Sequence, residues 1–184
     1  MRDPSLPKYF HYPFVACAVC GPRYTTVKEL PYDRERTTMS IFPFCNKAKP
    51  ESCISEYSDF NNRRFHAQTF ACSECGPHYQ LYDNFNNQIE SSSIEDILTK
   101  SAKIINEGKI LAVKGIGGVH LVCLAKEGDT ISKMRIRKGK RKNKPFAVMI
   151  PNLDLIEDEF FISDKEREII SSFRRPIVLL EKKA

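Results

Sequence analysis

The 184-residue sequence lacks any apolar run that approaches the ~20 residues needed to span a bilayer. Its first residues, MRDPSLPKYF, also lack the apolar segment of a secretory signal peptide. These two absences favour the cytoplasm and argue against a membrane partner. The first 81 residues show little helical periodicity, so they can bury only a small apolar core and need another source of stability.

Cysteine, by contrast, is abundant for a reducing compartment. There are seven cysteines, an odd number that fits a disulfide framework poorly and favours metal binding or redox chemistry. Four of them lie in two copies of one hairpin, FVACAVCGPRY and FACSECGPHY, which are offset by 55 residues. A thioredoxin-type motif opens a helix within a βαβ unit, and neither copy has that setting, so the pattern favours a metal.

A structural zinc takes four ligands in a tetrahedron, and cysteine thiolates are its preferred ligands. If the two hairpins hold equivalent places in two copies of one module, each hairpin needs its own partner pair. Eighteen residues separate Cys53 from Cys72, and seven separate Cys45 from Cys53, which indicates an insertion in the first knuckle. The extra loop closure costs only ~1 kcal/mol, against ~10–16 kcal/mol for a structural zinc. The predicted ligands are Cys45, Cys53, Cys72 and Cys75.

The same offset places the partners of the first hairpin before residue 1. Cys17 and Cys20 are therefore predicted to be the second half of a metal site whose first half this chain lacks. They remain candidate ligands, and whether two thiolates hold zinc without a partner pair stays open. His11 and His66 occupy equivalent places in the repeat, and we expect both to be structural.

From Ser93 onward the sequence alternates between helical and strand patterns, which predicts an α/β or α+β domain. Ser93 and Ser163 each begin a predicted helix with a capping box, and Gly108 ends the first helix. A third, short helix is predicted at 130–138. Strands are predicted at KILAVK, VHLVCLA, PFAVMI and PIVLLE. Cys123 lies in one of these strands and is predicted to be a core residue. The polar segment 82–92 is predicted to be a linker.

The net charge of +6 arises from a single stretch, 133–144, which holds eight basic residues and no acidic one; the remainder has 21 basic against 23 acidic residues. Such a run favours an anionic ligand, either a nucleotide triphosphate or a nucleic-acid backbone. Because the run adjoins the predicted strand PFAVMI, a nucleotide pocket at a sheet edge is favoured. The turn in KGIGGVHL matches neither usual phosphate-loop pattern, although Lys114 and His120 flank it.

Taken together, the motifs resemble those of the HypF family of carbamoyltransferases, which mature nickel–iron hydrogenases. They are YPF-x2-C-x2-CGPRYT, LPYDR-x2-TTM, FP-x-C, RRFHAQ-x3-C-x2-CGP, KG-x-GG-x-HL and KPFAVM. HypF proteins are much longer than this chain. The resemblance implies a HypF-type zinc-finger region at 1–81 with a truncated first finger and a complete second finger, a linker at 82–92, and a C-terminally truncated YrdC-like domain at 93–184.

The resemblance also implies an activity that uses carbamoyl phosphate, ATP and magnesium to form carbamoyl-adenylate. The carbamoyl group then passes to the C-terminal cysteine of HypE. The implied nucleotide-binding residues are Lys114, His120, Arg141 and Lys144, whose charges suit the phosphates. No catalytic residue is assigned, and activity of this chain on its own is not expected.

Two other interpretations remain. YrdC-like domains are associated with double-stranded RNA and with tRNA modification, so the alternative is a zinc-containing module that binds RNA. A split or degenerate gene product is the third, because the chain is expected to begin inside a finger and to end inside a domain.

Overall fold

The computed structural model describes residues 4–16, 24–45, 52–139, 144–174 and 176–183. Two compact units divide the chain, Met1–Leu124 and Ala125–Ala184. Three short 3-10 turns come first, at Tyr24–Thr26, Arg34–Arg36 and Thr38–Ile41. The helices are α1 (Cys53–Ser58), α2 (Ile94–Asn106), α3 (Gly128–Arg137), α4 (Leu153–Glu159) and α5 (Asp164–Ser171).

The strands are short and pair only in twos within the described ranges. They are β1 (Leu81–Tyr82), β2 (Gln88–Ile89), β3 (Leu111–Gly115), β4 (Gly118–Val122), β5 (Phe160–Phe161) and β6 (Glu181–Lys182). The pairs are β1 with β2, β3 with β4 and β5 with β6, and all three are antiparallel. This mixture confirms the predicted helix-and-sheet class. No helix in the described part is both long enough and apolar enough to cross a membrane.

Helix α2 begins and ends where the sequence predicts. The Ser93 hydroxyl accepts a hydrogen bond from the backbone N–H of Asp96 at 3.2 Å. The Asp96 carboxylate accepts from the N–H of Ser92 rather than from that of Ser93, so the predicted capping box is only half formed. At the other end Gly108 has φ 71°, and its N–H and that of Lys109 donate back to the last turn. This pattern is a Schellman motif, which needs a residue that tolerates positive φ.

The predicted capping box of α5 is confirmed in full. The Ser163 hydroxyl accepts from the N–H of Glu166, and the Glu166 carboxylate accepts from the N–H of Ser163. The two predicted strands around the glycine turn are present as β3 and β4, but β4 ends at Val122. Cys123 therefore follows the strand and is half-buried, so its prediction as a core strand residue is wrong. Gly115 is paired with Gly118 across a two-residue loop, and Gly117 in that loop has φ 100°, where L side chains are strained.

Two predicted strands are wrong in whole or in part. The segment PFAVMI, 145–150, has no regular secondary structure and belongs to no sheet in the described part of the chain. Only the last residue of PIVLLE, Glu181, is paired, as part of β6. An apolar strand-like pattern makes a strand only where a neighbouring chain segment accepts its backbone hydrogen bonds. Within the described ranges, no segment does this for 145–150.

The segment predicted as a linker contains part of a β-hairpin, formed by β1 and β2. One carboxylate oxygen of Asp83 accepts from the N–H groups of Phe85 and Asn87, each at 2.8 Å. Asn86 closes the turn with φ 67°. Asp and Asn are common in such turns because their side chains bond nearby backbone and because they tolerate this conformation. The predicted domain boundaries themselves stay a prediction.

The densest packing in the first unit surrounds cysteines rather than a broad apolar layer. The buried cluster consists of Tyr9, Cys53, Phe70 and Cys72. Val15, Phe44, Cys45, Ala67 and Cys75 pack against it. Tyr9 lies just before the first cysteine hairpin and Val15 lies within it, so both halves of the repeat contribute to one small core.

A buried carboxylate at Glu56 joins these two halves. Glu56 lies on α1 and is only 8% exposed. It accepts a hydrogen bond from the Tyr9 hydroxyl at 2.9 Å and forms ion pairs with Lys8 and with Arg64, the latter at 2.7 Å. Burial raises the pKa of Tyr9, which keeps its hydroxyl protonated as the donor. The network fixes the N-terminal segment onto α1.

Replacing Glu56 should destabilise this unit strongly. In Glu56→Ala, the Lys8 and Arg64 side chains, which are 17% and 15% exposed, lose their shared counter-charge. We expect the free energy of unfolding to fall by about 3–5 kcal/mol, measured by denaturant titration with tyrosine fluorescence. Glu35→Ala, at an exposed position, is the control and should change little. A loss for Glu56→Ala as small as that of the control would contradict the network's role.

Candidate metal centre

Four cysteine side chains converge at one point in the first unit. The sulfur atoms of Cys45, Cys53, Cys72 and Cys75 all lie within 4.8 Å of one another. The Sγ atom of Cys72 is 3.7 Å from that of Cys75 and 3.9 Å from that of Cys45. Zinc–sulfur bonds of ~2.3 Å in a tetrahedron require sulfur–sulfur distances of ~3.8 Å. The Cys72–Cys75 and Cys72–Cys45 distances match this value, and the four sulfur atoms are close enough together to bind one zinc ion.

Local structure places Cys53 at the start of α1. Ser52 caps this helix, and its hydroxyl accepts from the N–H of Ser55 at 3.1 Å. The N–H of Cys53 points at the Sγ atom of Cys45, 3.4 Å away, which links the two cysteines across the long knuckle. Backbone donors of this kind orient a sulfur ligand and stabilise its negative charge.

Cys72 and Cys75 lie on a tight turn. The N–H of Gly76 donates to the carbonyl of Cys72 at 2.9 Å, and the N–H of Glu74 approaches the Cys72 Sγ atom at 3.4 Å. A Cβ atom at Gly76 would lie 2.0 Å from the hydroxyl oxygen of Tyr12. Glycine is required here because Tyr12 packs directly on the turn and donates to the Pro77 carbonyl at 3.0 Å.

The pKa values of Cys53 and Cys72 are shifted in opposite directions. A hydrogen bond from the Cys53 thiol lowers the pKa of Cys72 to about 5. The same hydrogen bond, together with burial, raises the pKa of Cys53. Neighbouring thiolates repel one another, so the four groups cannot all ionise unless a cation lies among them. Four cysteines leave no coordination position open, and this is typical of a structural metal site rather than a catalytic one.

The two repeated histidines lie outside this four-sulfur group. His11 and His66 both adopt positive φ, 56° and 50°. The His66 ring stacks on Tyr57 with ring centres 5.0 Å apart, and the His11 ring stacks on Phe10 at 3.9 Å. Their shared left-handed backbone shows that the repeat extends beyond the cysteines. Cys17 and Cys20 lie outside the described residues.

Sequence reasoning missed the tyrosines that pack on the cysteines. Tyr9 is 2% exposed and belongs to the cluster with Cys53 and Cys72. Tyr12 is 4% exposed and contacts the Gly76 turn. The concentration of aromatic residues in YFHYPF, just before the first hairpin, is the signal that could have revealed them.

The nucleotide-binding candidates are distributed over both units. Lys114 lies on β3 and His120 on β4, and both are exposed. His120 is paired with Val113, and Lys114 is paired with Val119. Because neighbouring residues on a strand point to opposite faces, Lys114 and His120 project from opposite faces of the hairpin. Lys144 is exposed in the second unit, and its carbonyl accepts from Arg135 at 3.1 Å. Arg141 lies outside the described residues.

Two protein families match the sequence. The HypF finger family matches residues 1–27 and 51–82. The Sua5/YciO/YrdC family, described as telomere recombination, matches residues 103–184. The two matches follow one another along the chain in the order that the sequence motifs predict.

Curated relatives with similar sequences are carbamoyltransferases. HypF of Synechocystis sp. is 41% identical over 181 residues, covering 98% of this chain and 22% of the relative. HypF of Rhodobacter capsulatus is 43% identical over 147 residues, covering 78% of this chain and 18% of the relative. The chain thus spans about a fifth of the length of these relatives.

Solved structures match at a similar level. A full-length HypF in the phosphate- and nucleotide-bound form is 40% identical, with a TM-score of 0.80. HypF of T. kodakarensis is 43% identical, with a TM-score of 0.83. Each match covers 99% of this chain and 22% of the solved chain.

The geometry of the centre predicts one firmly held zinc per chain, which native mass spectrometry of the purified protein will count. In Cys53→Ser one of the four sulfur ligands is removed. We expect zinc affinity to fall by more than the ~100-fold that loss of an outer-shell partner can cause, measured by chelator competition. Cys123→Ser changes a half-buried cysteine outside the group and should retain the parent affinity.

Two zinc ions per chain would mean that Cys17 and Cys20 have found further ligands. No bound zinc, or full retention in Cys53→Ser, would contradict the four-cysteine assignment.

Proposed function

The chain is homologous to carbamoyltransferase HypF at about 40% identity over its whole length, and from this we propose that it performs the zinc-finger and nucleotide-handling part of a HypF-type carbamoyl transfer. The observation that carries the proposal is the match at 40% identity and TM-score 0.80 to a HypF solved with phosphate and nucleotide bound.

The proposed substrates are ATP, with magnesium, and carbamoyl phosphate. The reaction class is adenylation. Water first cleaves carbamoyl phosphate into carbamate and inorganic phosphate, and a carbamate oxygen then attacks the α-phosphorus of ATP, so that pyrophosphate leaves and carbamoyl-adenylate forms. The carbamoyl group then passes to the thiolate of the C-terminal cysteine of HypE, which is the proposed protein partner, and AMP leaves. We expect these steps to take place in the cytoplasm.

Within this proposal, Lys114 and Lys144 are point charges for the nucleotide phosphates. Lys114 lies one residue before the glycine turn, where backbone N–H groups can also approach an anion. Arg135 supports the segment of Lys144, because its guanidinium donates to the Lys144 carbonyl and lies 4.7 Å from the centre of the Phe146 ring. His120, on the opposite face of the hairpin from Lys114, would contact a different part of the nucleotide. Arg141 completes the proposed set.

We also propose that the four-cysteine centre holds a structural zinc, with Cys17 and Cys20 as candidates for a second site. The sulfur-only ligand set and its closed geometry support zinc. The ion would fix the fold of the finger and take no part in the chemistry. The phosphate-binding cations would carry the electrostatic stabilisation of the departing pyrophosphate.

Binding of double-stranded RNA or tRNA is the alternative. The end of α3 supports it, because Lys133, Arg137 and Lys138 are all exposed there. RNA affinity that falls steeply with salt and does not respond to ATP would favour this alternative over the first proposal. Displacement of RNA by ATP would instead indicate a shared nucleotide pocket.

Alanine substitutions of the proposed phosphate contacts test the nucleotide site. Lys114→Ala and Lys144→Ala should each weaken magnesium–ATP binding about 10–100-fold, because a charge-assisted contact contributes roughly 1.5–3 kcal/mol. Isothermal titration calorimetry gives the dissociation constants. Lys165→Ala removes the same charge from an exposed position on α5 and should bind ATP as the parent does. Equal affinity in all three variants would contradict the assignment.

Pyrophosphate exchange tests the chemistry separately from binding. Exchange of labelled pyrophosphate into ATP that depends on carbamoyl phosphate would show that the adenylation step occurs on this chain. Loss of that exchange in Lys144→Ala would connect the step to the proposed pocket. ATP binding without exchange would limit this chain to nucleotide handling.

A further inference from the structure

We propose that Arg34 is a positioning residue for the four-cysteine centre, tying together the backbones of the two segments that bring Cys45 and Cys72 to the metal. The inference rests on the proposed zinc site. Arg34 belongs to the motif LPYDR-x2-TTM, which contains no metal ligand and to which the sequence assigned no task.

The guanidinium of Arg34 bridges two separate stretches of backbone. One terminal nitrogen donates to the Gln68 carbonyl at 2.9 Å and to the Phe70 carbonyl at 2.7 Å. The other donates to the Phe42 carbonyl at 2.7 Å. Phe42 precedes Cys45 by three residues, and Phe70 precedes Cys72 by two. The bridge therefore acts directly beside both ligands.

Arg34 is itself held from several sides. Its backbone N–H donates to the Gln68 side-chain oxygen at 2.8 Å, and the Tyr57 hydroxyl donates to the same oxygen at 2.7 Å. The Thr37 hydroxyl donates to the Arg34 carbonyl at 2.8 Å. The guanidinium lies 3.9 Å from the centre of the Phe44 ring. A side chain fixed in this way can restrict the movement of the backbone beside Cys45 and Cys72.

The charge of Arg34 also suits the centre. Its guanidinium donates to neutral carbonyls, and none of the carboxylates in the described part forms an ion pair with it. Burial lowers the pKa of Arg34, and negative charge on Cys75 opposes that shift. Four thiolates around a divalent ion carry a net negative charge, so a nearby cation stabilises the loaded site.

Arginine is required by the geometry as well as by the charge. A guanidinium offers five N–H donors in a rigid plane, and three carbonyls use that plane here. Lysine keeps the charge but has a single nitrogen, which cannot bridge Phe42 and the Gln68–Phe70 stretch in the same way. Arg34→Lys therefore separates the positioning effect from the electrostatic effect.

The test uses the purified full chain and measures zinc affinity by chelator competition. Arg34→Met and Arg34→Lys should both bind zinc about 10–100-fold more weakly, as other outer-shell substitutions do. Arg36→Met is the matched control on the same 3-10 turn, since the Arg36 side chain forms ion pairs with the surface carboxylates Asp33 and Glu29. The control should keep the parent affinity.

Parent affinity in both Arg34 variants would overturn the proposal. Parent affinity in Arg34→Lys alone would show that the charge of Arg34, and not its positioning of the backbone, is responsible.

Cobalt substitution supplies a readout that a general loss of stability would not move. We expect the ligand-field bands of the tetrahedral cobalt–thiolate centre to shift in both Arg34 variants and to stay unchanged in Arg36→Met. Unchanged bands in the fully loaded Arg34 variants would overturn the positioning role. Added methylguanidinium should restore the parent spectrum to Arg34→Ala, whereas methylammonium should not; failure of that rescue would count against the proposal.

The failure of this inference can be distinguished from failure of the zinc site. If the parent chain binds no zinc, or gives no cobalt–thiolate spectrum, the proposed site itself is wrong. If the parent binds one zinc and loses it in Cys53→Ser while the Arg34 variants match the parent, only the role of Arg34 is wrong.

Discussion

The rest of the first unit depends on the convergence of four sulfur atoms. Cys53 and Cys72 are each 0% exposed, as deeply buried as Phe70 at 1%, so the cysteines are themselves the centre of the core. A small, aromatic-rich segment with little helical periodicity has few other means of offsetting its loss of conformational entropy. In the proposed zinc-bound protein, metal binding contributes the free energy of folding that a larger apolar core supplies in other proteins.

Polar groups around the four sulfur atoms hold the neighbouring segments in fixed positions. Glu56 joins the N-terminal segment to α1, Arg34 joins the two ligand-bearing stretches, and Gly76 leaves room for Tyr12. The repeated sequence also contributes to packing in this arrangement. Tyr9 and Tyr12, which directly precede the first copy, pack against the four-cysteine centre of the second, so the two parts form one folded body over the described residues.

Features that depend on residues close together in the sequence could be predicted, whereas contacts between distant parts of the chain could not. Local rules placed α2 and α5 to within a few residues, because Ser93, Ser163 and Gly108 act on their own neighbours. The 55-residue offset identified the cysteines that converge. Pattern alone was wrong for PFAVMI because a strand needs a partner that no local rule provides. Arg34 and Glu56 act on residues far along the chain, and their contacts become visible only in the fold.

Hydrogen exchange with and without a chelator tests the central claim most directly. The N–H groups of Ser73, Phe70 and Gly76 donate to backbone carbonyls around the centre, and those of α2 donate within their own helix. Removal of the metal should abolish protection at the first three amides and leave α2 protected. Unchanged protection around the cysteines after metal removal would contradict the claim that the four-sulfur centre holds this part of the chain together.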